Sequence, residues 1–80
     1  MSRYKFPLTV SVECKNAETG RWGEVDYFEV PSGLFGEYMR REMLNRYGAH
    51  YARYRTNTKR RTQDFYFEND VETLRCYVVK

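Results

Sequence analysis

The feature that most constrains the fold is an unbroken alternation of apolar and polar residues near the start of the chain. From Tyr4 to Lys15 the apolar side chains occupy one phase and polar side chains occupy the other. A period of two sustained over this length is typical of a strand with one buried face. Pro7 falls on the polar phase, and because proline cannot donate to a hydrogen-bond ladder, it predicts a position near a sheet edge.

A second strand is predicted from about Arg21 to Val30, joined to the first through a turn at 16–20 that contains Asn16 and Gly20. The two strands form a long hairpin in this interpretation. The apolar residues of the second strand fall on both phases, with Val25 and Tyr27 on one and Trp22, Phe28 and Val30 on the other. Two explanations remain open, a bulge near Gly23 or partial cover of both faces.

A helix is predicted from Pro31-Ser32-Gly33 to about Tyr47. Ser32 is the expected N-cap, and Gly48 is the residue expected to end the helix. Apolar side chains recur at every fourth position, which predicts a stripe that faces the core. The members of this stripe are Phe35, Met39, Met43 and Tyr47.

Three further strands follow, at His50–Thr56, Thr62–Glu68 and Thr73–Val79, with a polar hairpin tip at Asn57–Arg61. The order β-β-α-β-β-β predicts an α+β fold in which one helix packs on a mostly antiparallel sheet. The 80 residues indicate one small domain over 1–80. The predicted core contains Phe6, Leu8, Val10, Val12, Phe35, Met39, Met43, Phe65, Phe67 and Leu74.

The two cysteines and the absence of apolar runs bear on the compartment. Cys14 and Cys76 both fall on apolar phases, which favours buried free thiols in a reducing cytoplasm over a disulfide between the first and last strands. No apolar run approaches the roughly 18 residues of a membrane span, and the first residues do not resemble a secretory signal. We therefore expect a cytoplasmic protein with no membrane partner.

Charge divides the chain into two parts. From Arg40 to Arg61 eight basic residues accompany one acid, whereas the remainder has six basic and ten acidic residues. The segment thus carries +7 within a chain of net charge +3. Tyr47, Tyr51 and Tyr54 are interleaved with the cations, a combination that suits a polyanion with flat bases, such as single-stranded nucleic acid.

The residues predicted to contact this partner are the cations and exposed rings of the segment. They are Arg40, Arg41, Arg46, Tyr51, Arg53, Tyr54, Arg55, Lys59, Arg60 and Arg61. Simple alternation predicts that Tyr51, Arg53 and Arg55 share one strand face, and that Lys59, Arg60 and Arg61 form a mobile tip. The alternative for the hairpin is a solvated turn whose charges discourage edge pairing. Among the tyrosines, Tyr51, Tyr54 and Tyr66 are predicted at the surface, and Tyr4, Tyr27, Tyr38 and Tyr47 in or beside the core.

Residue patterns associated with catalysis are sparse. His50 is the one histidine, with no arrangement of Cys or Ser that suggests a nucleophile. Asp64 and Glu68 share a strand phase, but at the strand rise they lie about 13 Å apart, too far to bind one ion together. We expect no catalytic residues, no metal and no cofactor, with a small nuclease or other hydrolase as a remote alternative.

The leading interpretation is a non-enzymatic protein that engages nucleic acid, or the nucleic-acid groove of a nucleoprotein complex, and acts by occupying it. The alternative is a protein–protein inhibitor or adaptor that docks an acidic surface of a host enzyme or defence complex. In size, tyrosine content and bipolar charge the chain loosely resembles the small accessory proteins of bacteriophages, which would imply a viral protein in the host cytoplasm. Salt dependence separates the two interpretations, because phosphate contacts release counterions.

Overall fold

The fold contains the predicted strands and helix in the predicted order. The computed structural model describes residues 6–31 and 33–79, and it confirms the α+β class and the order β-β-α-β-β-β. The elements are β1 (Leu8–Lys15), β2 (Trp22–Val30), α1 (Phe35–Tyr47), β3 (His50–Asn57), β4 (Thr62–Glu68) and β5 (Thr73–Val79). In these ranges no helix has the length and apolar character that crossing a bilayer requires.

The strands form one sheet in the order β2-β1-β5-β4-β3, with every neighbouring pair antiparallel. β2 and β3 are therefore the two edges, and β1 lies inside the sheet between β2 and β5. The prediction that the start of β1 lies near an edge is wrong. Pro7 comes one residue before Leu8, where the ladder with β2 begins, so its missing N–H removes nothing from the ladder.

The helix covers one face of the sheet, and the apolar core lies between them. Seven of the ten predicted core residues are buried, and Phe6, Phe35 and Phe65 pack against them while partly exposed. Phe28, Val30, Ala49 and Cys76 complete the buried set. Cys14 and Cys76 are free thiols in the structure; Cys76 is buried, as predicted, whereas Cys14 is only partly buried.

The two ends of α1 differ in how well the sequence predicted them. The helix begins at Phe35, after an extended Leu34 that makes no side-chain cap, so it starts later than predicted. The expected cap, Ser32, lies outside the described residues. At the other end, Gly48 has a left-handed φ of 63° and donates its N–H to the Leu44 carbonyl at 2.9 Å, which confirms the predicted stop.

Each edge strand contains a one-residue irregularity. In β2 the register with β1 skips Val25, so the bulge explanation is correct and the bulge lies two residues beyond Gly23. In β3 the register with β4 skips Ala52. A skipped residue reverses the phase of the side chains that follow it. Tyr51 and Arg53 consequently point to opposite faces, and the prediction that they share a face is wrong.

Candidate nucleic-acid interface

The bulge at Ala52 divides the basic segment between the two faces of the sheet. Tyr51 and Tyr54 lie on the helix side, where both rings contact Phe65, with centroids 6.5 and 6.1 Å away. Arg53 and Arg55 lie on the helix-free side, which we call the open face. The edge strand β3 therefore presents rings on one side and cations on the other.

Glu13 on β1 is the centre of a charged cluster on the open face. Its side chain is only 10 % exposed, and its Oε1 lies 2.6 Å from Arg75 Nε and 3.4 Å from an Arg60 guanidinium nitrogen. Arg75 also lies over the Trp22 ring at 4.2 Å, and Arg60 lies over the Tyr77 ring at 4.3 Å. Arg60 was predicted as part of a mobile tip, but its guanidinium is anchored to the sheet. This contact fastens the tip of the β3–β4 hairpin onto β1 and β5.

Tyr66, predicted at the surface, is buried on the open face with 8 % of its area exposed. Its ring lies between Trp22, at 6.0 Å, and the guanidinium of Arg53, at 4.6 Å. Arg53 is also 3.8 Å from Glu68. Guanidinium groups thus already cover the rings described at the centre of the open face, so none of these rings is a free platform for a base.

Two of the helix arginines are engaged with neighbouring acids. Arg46 contacts Asp26 at 2.8 Å and Glu42 at 3.0 Å, and the Arg41–Glu37 separation is 3.8 Å on the exposed side of the helix. The Arg46 contacts tie the last turn of α1 to β2, so this cation serves the fold.

Asp26 accepts a second hydrogen bond, from the hydroxyl of Tyr47 at 2.7 Å. This bond, together with the one from Arg46, holds the pKa of the Asp26 carboxyl below its ordinary value. Burial and the same carboxylate raise the pKa of Tyr47. Tyr47, although interleaved with the basic residues in sequence, is therefore a structural residue of the helix–β2 contact, and its hydroxyl is not free for a partner.

Four cations of the segment make no salt bridge within residues 6–31 and 33–79. All four are exposed. Arg55 lies on β3, and Lys59 and Arg61 lie at its hairpin tip. Arg40 lies on the helix, and its guanidinium is 4.5 Å from the centre of the Tyr51 ring. Tyr54, 60 % exposed, stands among them. We call this set, composed of Arg40, Tyr54, Arg55, Lys59 and Arg61, the basic rim. The part of β3 beside these residues, from Tyr51 to Asn57, is about 20 Å long at the strand rise.

The tip of the rim contains an unfavourable backbone conformation. Asn57 Oδ1 accepts the N–H of Arg60 at 3.1 Å, and Arg61 then adopts a φ of 55°. For a residue with a side chain, the left-handed conformation costs roughly 1–2 kcal/mol relative to the usual helical one. Glycine or asparagine would serve this position better. Since the exposed Arg61 side chain makes no salt bridge in the described ranges, its presence is not explained by the fold.

The opposite edge of the sheet carries the other sign of charge. β2 contains Glu24, Asp26 and Glu29 and no basic residue. Glu24 accepts a hydrogen bond from the buried Ser11, and Glu29 is exposed. In the described ranges no group of three or more His, Cys, Asp or Glu side chains could hold a metal ion. The sheet thus has an acidic edge at β2 and a basic edge at β3.

Comparisons with models of known protein families, with curated proteins and with solved structures found no match to this chain.

Proposed function

We propose that the protein is a non-enzymatic binding protein that engages nucleic acid, alone or in the groove of a nucleoprotein complex, through the basic rim. The observation that supports this proposal is the separation of charge between the two edges of the sheet. In the described ranges, cations that make no salt bridge lie on β3, at its hairpin tip and on the helix, whereas Glu24 and Glu29 lie at the far edge on β2 and would repel a polyanion there. Occupying the bound surface is the mode of action that such a site allows.

Salt bridges decide which cations contribute most to binding. An exposed arginine without an acidic partner can meet a phosphate and release its counterion at once, whereas a paired one must first lose its carboxylate. Arg41, Arg46, Arg53 and Arg60 therefore contribute less than the four cations of the rim. Four phosphate contacts to a single strand would give a slope of log affinity against log salt of about −3.

The test removes two cations from the tip and keeps Arg60, because Arg60 is anchored to Glu13. Lys59→Ser/Arg61→Ser should retain the parent's thermal transition, since both side chains are exposed. It should weaken binding and make the salt slope shallower by about 1.4, which is about 0.7 per contact. The measurement is fluorescence anisotropy of a labelled oligothymidylate, titrated with protein between about 50 and 200 mM salt.

The matched control is Lys15→Ser/Arg21→Ser, which removes the same charge from exposed positions beside the turn of the other hairpin. This variant should bind nearly as the parent does. An equal loss of affinity in both variants would show that net charge alone drives binding. Unchanged affinity in the tip variant would show that the basic rim is not the binding site. In a pull-down from lysate, a partner that survives nuclease treatment would instead support the protein inhibitor or adaptor alternative.

A further inference from the structure

We infer that the ligand of the basic rim is a single-stranded nucleic acid, with Tyr54 as the ring on which one base stacks. This inference rests on the proposed function and adds the class of nucleic acid to it. It depends on whether each tyrosine ring near the cations is exposed or covered, which the sequence alone does not show.

Tyr54 is exposed and yet held in position. Its ring is supported by Phe65 at a centroid distance of 6.1 Å and an interplanar angle of 36°. Phe65 is in turn packed edge-to-face against Phe35 of the helix, at 5.9 Å and 75°. With 60 % of Tyr54 exposed, a ring supported in this way presents free aromatic surface whose orientation is already fixed. Binding a base would therefore require little additional ordering of the side chain.

The other rings near the cations are covered or lie in the wrong charge environment. The guanidinium of Arg40 already occupies the Tyr51 ring at 4.5 Å, and Arg60 occupies Tyr77 at 4.3 Å. Tyr66 is buried. Tyr27 is 66 % exposed, but it follows Asp26 on the acidic edge. Among the tyrosines that the structure describes, Tyr54 is thus the one that combines exposure with neighbouring cations.

The arrangement around Tyr54 fits a splayed strand and does not fit a duplex. Stacking on a side chain requires a base whose face is free, and in a duplex each face is covered by the next base pair. Arg55 follows Tyr54 directly and points to the opposite side of the edge strand, while Lys59 and Arg61 lie beyond it at the tip. A single strand that runs along β3 can place a base against Tyr54 on the helix side and its phosphates toward Arg55 and the tip.

The test compares a single-stranded oligothymidylate of about 20 nucleotides, longer than the roughly 4–16 nucleotides that such sites cover, with the same strand in a duplex. Tyr54→Leu keeps an apolar contact with Phe65 but removes the aromatic face. We expect single-strand affinity to fall roughly 5- to 150-fold and duplex affinity to change little. Tyr54→Phe should restore most of the single-strand affinity, and Tyr27→Leu, at the acidic edge, should change neither.

The outcomes separate this inference from the proposed function. If Tyr54→Leu leaves both affinities unchanged while Lys59→Ser/Arg61→Ser weakens both, the basic rim binds phosphate without stacking and the inference is overturned. If the parent binds neither oligonucleotide, or if the tip variant binds both as the parent does, the proposed function itself fails. Thermal melting of each variant checks that it folds. Because Tyr54→Phe retains the aromatic ring, equal losses of single-strand affinity in the Phe and Leu variants would also overturn the inference.

Discussion

The two hairpins of this molecule have loops that are built in the same way from different residues. Each loop begins with an asparagine, Asn16 or Asn57, whose Oδ1 accepts the amide three residues later at 3.1 Å. Each ends four residues after that asparagine with a left-handed residue, Gly20 with φ 73° in the first hairpin and Arg61 with φ 55° in the second. One backbone solution thus serves both turns.

The difference between the loops lies in what the conformation requires of the side chains. Gly20 adopts a positive φ without steric cost, whereas Arg61 does so against its preference. The first loop carries one charge, Glu18, and the second carries Lys59, Arg60 and Arg61. Because the first loop closes the same turn without these cations, turn geometry does not require them. The comparison supports a role for Lys59 and Arg61 outside the fold.

The largest expected effect on stability concerns a charge that the fold does use. Arg75→Met removes the guanidinium 2.6 Å from Glu13 and leaves a nearly buried carboxylate with Arg60 alone. We expect a loss of about 3 kcal/mol in the free energy of unfolding, measured by urea denaturation. Arg55→Met, at the basic edge, should change this free energy by less than about 0.5 kcal/mol. Similar losses of stability in the two variants would contradict the difference proposed between arginines that stabilise the fold and those of the basic rim.

A smaller effect is expected at Asp26, which links β2 to the end of α1. Asp26→Asn should lower stability by about 1 kcal/mol near neutral pH, since the charged partner of Arg46 is lost. Because the pKa of Asp26 is lower in the folded protein, its stabilisation is present above the unfolded pKa near 4 and is lost as pH falls through the folded pKa. The difference in melting temperature between the parent and Asp26→Asn should therefore become smaller below about pH 4. Glu29→Gln, at an exposed carboxylate on the same strand, should change stability little near neutral pH.

The smallest effect tests the loop comparison directly. Arg61→Gly should raise stability by up to about 1 kcal/mol, because it relieves the left-handed arginine. Gly20→Arg should lower stability by a similar amount in the first loop, where a glycine now adopts this conformation. Both changes are measurable as opposite shifts in denaturation midpoint. If neither variant shifts the midpoint, the left-handed conformation carries no cost in either loop, and Arg61 then gives no support to a role outside the fold.

Alternation and helical spacing predicted the elements because they record which side of each element is apolar. The change of phase in β2 predicted its bulge but placed it near Gly23 instead of Val25, whereas nothing in the mostly polar β3 marked the skip at Ala52. The consequence was largest at β3, where the skip moved Tyr51 away from Arg53. The burial of Tyr66 was missed for a related reason, because a strand's polar phase can still be covered by long side chains from neighbouring strands.

The candidate site was predictable as a basic segment but not as the smaller basic rim. Which cations are free depends on partners distant in sequence, such as Glu13, which lies 47 residues from Arg60. Glu13 falls on the polar phase of the clearest strand, and its burial follows from the interior position of β1 between β2 and β5. No local pattern shows that position, because it is set by which strands pair.

The strand order has a consequence for how the molecule assembles. β5 is the last of the five strands to be synthesised, yet it pairs with β1, the first, and with β4. Until β5 is available, the two hairpins are separate two-stranded ribbons, and such ribbons are marginally stable on their own. Contacts that join distant parts of a chain also slow folding. Arg60 can therefore be anchored only late in folding, after β5 has joined the two hairpins and placed Tyr77 beneath its guanidinium. Before that step Arg60 and Arg61 of the β3–β4 tip are equally exposed.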